Sequence, residues 1–71
     1  MINSTQQEIL RKLSRLAELS PGIRLGQLLT HLGFLAEDMF DQNLADLEDE
    51  QLLRVLERHE SELARRQSNV A

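Results

Sequence analysis

The chain has no cysteine, tryptophan or tyrosine, a single proline, three glycines and two phenylalanines in 71 residues. Without cysteine there is no disulfide framework and no thiolate metal site. With two histidines as the only imidazoles, a structural zinc site is not expected from sequence. No apolar run approaches the roughly 20 residues of a membrane span. The opening MINSTQQEIL lacks a basic stretch followed by an apolar core, so no secretory signal is expected and a cytoplasmic location is the default. Eight Lys and Arg against twelve Asp and Glu give a formal net charge of −4. That balance disfavours non-specific nucleic-acid or anionic-membrane binding, which needs clustered cations to displace counterions.

What is present is leucine at helical spacing. A chain this short must build its core from aliphatic packing, near the lower size limit for folding without staples. The expectation is one all-α, three-helix domain with frayed ends at 1–4 and 67–71. Self-association into a homodimer would supplement so small a core.

Ile9, Leu10, Leu13, Leu16 and Ala17 recur at three- and four-residue steps, predicting a long first helix over Thr5–Leu19. Ser4 with Gln7, or Thr5 with Glu8, has the spacing of a capping box. Glu8 precedes Lys12 by four residues, the favourable order for an ion pair. Ser20-Pro21-Gly22 ends the helix, because proline lacks an amide donor and disfavours helical geometry in the residue before it.

Leu25, Leu28, Leu29 and Leu32 predict a short second helix over Ile23–Leu32, with Gly33 as its left-handed stop. Phe34–Leu47 lacks a clean period and reads as a connection with one short helical turn near Leu35–Phe40, its apolar residues pinned over the core. The third helix, Glu48–Arg66, is long. Glu48, Asp49 and Glu50 lie at its start and Arg65 and Arg66 at its end, matching the macrodipole. Leu47 and Leu52 are spaced for a hydrophobic staple with Glu48 at the cap. Leu52, Leu53, Leu56 and Leu63 form the buried stripe. Glu50–Arg54, Arg58–Glu62 and Glu62–Arg66 are four-residue charge pairs. The first and third helices are expected to pack antiparallel, with the second crossing them.

Gly26 lies among leucines, where alanine would favour a helix by roughly 1 kcal/mol. The expectation is a close helix crossing that leaves no room for a β-carbon; the alternative is an irregular first turn.

Two blocks carry a resemblance. Pro21, Arg24, Gly26, Gln27 and Leu28 in PGIRLGQLL, then Asp46, Glu48, Asp49, Glu50, Leu52 and Leu53 in LADLEDEQLL, resemble a group of short bacterial and phage proteins. Those read as Pro, two variable residues, Arg, Leu or Phe, Gly-Gln-Leu, and later Trp-Asp-Val/Ile-Glu-Asp-Glu before an apolar pair. Here the aromatic position holds Ala45, so any packing role of that ring is absent or falls to Phe34 or Phe40. The resemblance implies a compact helical protein and no particular activity.

The polar residues of the two blocks, Arg24, Gln27, Asp46, Glu48, Asp49 and Glu50, admit two readings. Either they form a recognition patch, or Arg24 pairs internally with Asp46 or Glu48 through its carboxylate-matching fork while Gln27 bonds a chain end; the internal reading is preferred. The acidic run from Glu37 to Glu50 fails calcium-loop spacing, lacking the glycine and placing apolar residues at ligand positions. His31 and His59 each stand alone on a helix, without a metal-ligand partner at HExxH-type spacing. No nucleophile is paired with a base and no phosphate loop exists, so the chain is not expected to be an enzyme, and no catalytic residue, cofactor or metal is assigned.

The expected function is therefore protein–protein interaction, as a homodimer or as an accessory factor for another protein. Phe34, Leu35, Met39 and Phe40 are the expected contact surface, since aromatics and Met are enriched at interface cores. The alternatives are a DNA-associated helix-turn-helix-like regulator reading through Arg24, Gln27, Thr30 and His31, and a small-ligand or metal binder.

Overall fold

The computed structural model describes residues 1–68 and contains three α-helices and one 3₁₀ turn: α1 (Ser4–Leu19), α2 (Leu25–Phe40), the turn at Leu44–Asp46, and α3 (Asp49–Ser68). No strand occurs among the described residues. The chain is an all-α three-helix domain, as its leucine spacing predicts. The expected fraying at 69–71 lies outside the described residues, whereas Gln67 and Ser68 belong to α3 and Ser4 to α1.

Each helix begins with the same device, a glutamine in its third position folding back on the residue before the helix. Asn3 Oδ1 accepts from the Gln6 amide at 2.8 Å, and Gln6 Oε1 accepts from the Asn3 amide at 3.4 Å. The capping box thus lies one residue earlier than either Ser4–Gln7 or Thr5–Glu8, because asparagine caps at least as well as a hydroxyl. Gln27 Oε1 accepts from the Arg24 amide at 3.1 Å, and Gln51 Oε1 from the Glu48 amide at 2.9 Å. Glu48 holds the cap of α3 as expected, its carbonyl accepting from Leu52.

The α1–α2 junction is a β-turn closed by the Ile23 amide on the Ser20 carbonyl at 3.1 Å. Pro21 supplies the fixed φ of its second residue, and Gly22 needs no positive φ. The second helix departs most from expectation. It runs straight through Gly33 to Phe40, so most of the segment read as a connection is helix. Leu28, Leu32, Leu35, Ala36 and Met39 continue one stripe at three- and four-residue steps across the glycine, and their burial outweighs its propensity. The stop is Asp41, in the left-handed region at φ 54°, whose amide donates to the Glu37 carbonyl at 2.9 Å. Aspartate is among the few non-glycine residues that tolerate this conformation.

A full-length α2 changes the topology. It carries the chain back along the molecule, so α3 starts where α1 starts. Gln6 of α1 bonds Asp49 at the start of α3, and Lys12 and Arg15 meet Glu60 further along both helices. Increasing residue numbers pair with increasing residue numbers, so α1 and α3 are parallel, not antiparallel as expected. Phe40 passes through the 3₁₀ turn into α3, and α2 runs back against it, with Asp38 beside Arg58 and His31 beside His59. The helix α3 packs on both others, and α1 and α2 make little direct contact.

The core consists of Ile9, Leu16, Leu28, Leu32, Leu35, Ala36, Val55, Leu56 and Leu63, with Leu47, Leu52 and Leu53 half-buried against it. Three expected core leucines lie outside: Leu10, Leu25 and Leu29 are 53%, 56% and 40% exposed. On α2 the last two sit on the opposite edge of the buried stripe from His31, away from α3. Lys12 lies on the α3-facing edge of α1.

Candidate functional site

The expected interaction surface does not survive as a contiguous patch. Phe34 is 63% exposed, but Leu35 is buried in the core, and Met39 and Phe40 are half-buried against it. Leu35 is claimed by the stripe that a longer α2 creates, and Phe40 packs inward while Ala45 is exposed in the 3₁₀ turn. What α2 does present to solvent is Leu25 and Leu29, one turn apart, immediately after the exposed Ile23.

The polar residues of the two blocks fall into two separate groups. Arg24 and Gln27 open α2, while Asp46, Glu48 and Asp49 follow its end, about 24 Å away along a helix rising 1.5 Å per residue. The expected Arg24 pairing with Asp46 or Glu48 is therefore absent, and Arg24 makes no ion pair among the described residues. Gln27 bonds a helix start. Asp46 Oδ2 accepts from Asn43, and Asp49 Oδ2 from Gln6 Nε2 at 3.3 Å. The Asp46 and Asp49 carboxylates are thus occupied at the ends of elements, whereas Glu48 contributes its main chain to the cap of α3.

Gly26 marks no close crossing. A β-carbon built there meets nothing within 4 Å, because the residue sits on the exposed side of the first turn of α2. Its carbonyl accepts from Thr30 Oγ1 at 3.0 Å. Arg24, Gly26, Gln27, Thr30, His31 and Phe34 border one shallow depression on that side, with Arg24 its single fixed cation. That is sparse for a helix that must grip phosphates.

The feature that sequence spacing does not reveal lies between α2 and α3. His31 and His59, each alone on its helix in the sequence, come together with ring centroids 4.5 Å apart and planes tilted by 52°. His59 is 5% exposed, and its Nδ1 is buried without a hydrogen-bond partner. Glu62 Oε1 is 3.7 Å away, beyond hydrogen-bonding distance. Burial, followed by the neighbouring His31, holds the His59 pKa below its ordinary 6.5, so this imidazole is neutral at pH 7. A cleft of about 350 Å³ opens beside the pair, bordered by Ile23, Gln27, Leu63 and Arg66. The i,i+3 spacing of His59 and Glu62 is visible in the sequence; the meeting with His31 requires knowing that α2 and α3 pack antiparallel.

No helix among the described residues is long and apolar enough to cross a membrane. No protein-family model, curated protein or solved structure matches this chain.

Proposed function

We propose that the protein is a small interaction module that self-associates through the start of α2. The observation that carries this reading is the exposure of Ile23, Leu25 and Leu29 at 50%, 56% and 40%, next to a core of nine buried apolar residues. Burying leucine side chains contributes about 1.5–3 kcal/mol each, a large share of the stability available to a domain of this size. The neighbouring α1 makes little contact with α2 and leaves this edge open to a second copy. A C2 pairing would set each stripe against its equivalent on the other chain.

Sedimentation velocity from micromolar to millimolar concentration tests the reading. The expected result is a concentration-dependent dimer that Leu25→Glu with Leu29→Glu converts to a folded monomer. A wild-type protein that remains monomeric throughout, or a double variant that dimerises unchanged, contradicts it.

A further inference from the structure

His31, His59 and Glu62 each offer a ligand atom, and these atoms all lie within 4.8 Å of one another. His59 Nδ1, 3.7 Å from Glu62 Oε1, is buried and has no hydrogen-bond partner among the described residues. In a tetrahedral site with bonds of about 2.0–2.1 Å, two ligand atoms lie roughly 3.4 Å apart. The 3.7 Å between His59 Nδ1 and Glu62 Oε1 is already near that spacing, and a pair at the 4.8 Å limit would have to close by about 1.4 Å through side-chain rotation. A buried, unbonded Nδ1 beside a carboxylate oxygen that it does not reach is an arrangement that an intervening cation would complete.

We propose that His31, His59 and Glu62 form a binding site for one divalent transition-metal ion of the zinc class, which clamps α2 to α3. Two imidazole nitrogens and one carboxylate oxygen suit zinc and its neighbours; calcium and magnesium call for oxygen ligands throughout. The set resembles in composition the three-ligand, open-position zinc sites, and both imidazoles border the cleft along Ile23, Gln27 and Leu63, the side from which a water would complete the set. Arg58 Nε lies 3.9 Å from Glu62 Oε2, the oxygen other than the one nearest His59, and Arg58 Nη1 lies 3.4 Å from Asp38 Oδ2. At 3.9 Å the Arg58–Glu62 contact is a charge attraction without a hydrogen bond; it draws Oε2 toward Arg58, while Oε1 lies 3.7 Å from His59 Nδ1. Arg66 on the rim of the cleft opposes the cation by its charge.

The test is titration calorimetry of the chelator-treated full chain with zinc chloride, with cobalt absorption as an independent readout. Because His59 is a core residue, the variants are His31→Gln and Glu62→Gln, each checked for helicity by circular dichroism. One zinc per wild-type chain is expected, with visible cobalt bands that zinc abolishes. Each ligand variant should weaken binding by at least the roughly 10–100-fold that loss of an outer-shell partner produces, and Arg66→Gln should strengthen it. Absence of zinc and cobalt binding by the wild type overturns the proposal. So does affinity unchanged in both ligand variants, the mark of scattered surface carboxylates.

Discussion

Lys12 of α1 donates to Glu60 of α3 at 3.0 Å across 48 residues of sequence, and Arg15 reaches the other oxygen of the same carboxylate at 2.8 Å. This three-residue cluster ties together the two helices that lie parallel. The bond to Glu60 raises the Lys12 pKa above its ordinary 10.5, and the bond to Lys12 lowers that of Glu60 below 4.5.

These shifts fix the pH dependence. A lowered carboxyl contributes stability that is fully present above its unfolded value and lost as pH falls through the folded one. A raised lysine contributes below its unfolded value and loses it as pH rises. The stability difference between wild type and Lys12→Met should therefore be flat from about 5 to 10 and shrink at both ends. Both side chains are partly hydrated, so the plateau should stay under about 1 kcal/mol. Urea denaturation across pH measures it; a difference that grows on acidification contradicts the pairing.

Removing the unbonded polar group from the core should help the metal-free protein. His59 Nδ1 is buried without a partner, and an unsatisfied buried group costs about 1–3 kcal/mol. His59→Leu is expected to raise stability by about 1 kcal/mol in chelator-containing buffer, part of the desolvation cost being offset by imperfect packing. A loss of stability in the same buffer would show that the imidazole is better satisfied than its geometry indicates.

Gly33 lies mid-helix with nothing within 4 Å of an added β-carbon. Gly33→Ala should stabilise by about 0.5–1 kcal/mol through helix propensity alone. The same openness at Gly26 predicts that Gly26→Val stays within about 0.5 kcal/mol of wild type, the size of a surface substitution. Thermal denaturation distinguishes these outcomes from the large loss that a close crossing at either glycine would impose.

Arg24, with no ion pair among the described residues, should tolerate alanine with a change under about 0.5 kcal/mol. A drop of roughly 2 kcal/mol or more, approaching the scale of a broken buried pair, would restore the internal reading of this residue.

The fold is legible where a periodic stripe meets a strong end signal. Ile9, Leu13 and Leu16 with the Ser20-Pro21 break set α1, and the acidic start and basic end of the last segment set α3. The second helix is easily cut short because Gly33 looks like a left-handed stop, although Leu35, Ala36 and Met39 continue the stripe beyond it. That one boundary carries the larger error with it. A short α2 crosses its neighbours and allows an antiparallel third helix, whereas a full-length α2 returns the chain and leaves α3 parallel to α1. The pairing of His31 with His59 depends on this packing and is invisible to local spacing. Exposure of Leu25 and Leu29 is likewise hidden, because periodicity marks which residues share a face and not how wide an arc the neighbours cover.

The parallel pairing of α1 with α3 orders every other contact, and it can be measured directly. The absence of native cysteine permits a single nitroxide label at the exposed Gln7 through Gln7→Cys. Paramagnetic broadening of amide signals then reports which end of α3 lies nearby, its residues 49 and 66 being about 26 Å apart along the helix. Strong broadening around Asp49–Leu53 that fades toward Arg66 is the expected result. Broadening greatest at Arg65 and Arg66, with the start of α3 spared, would contradict the topology and the contacts built on it.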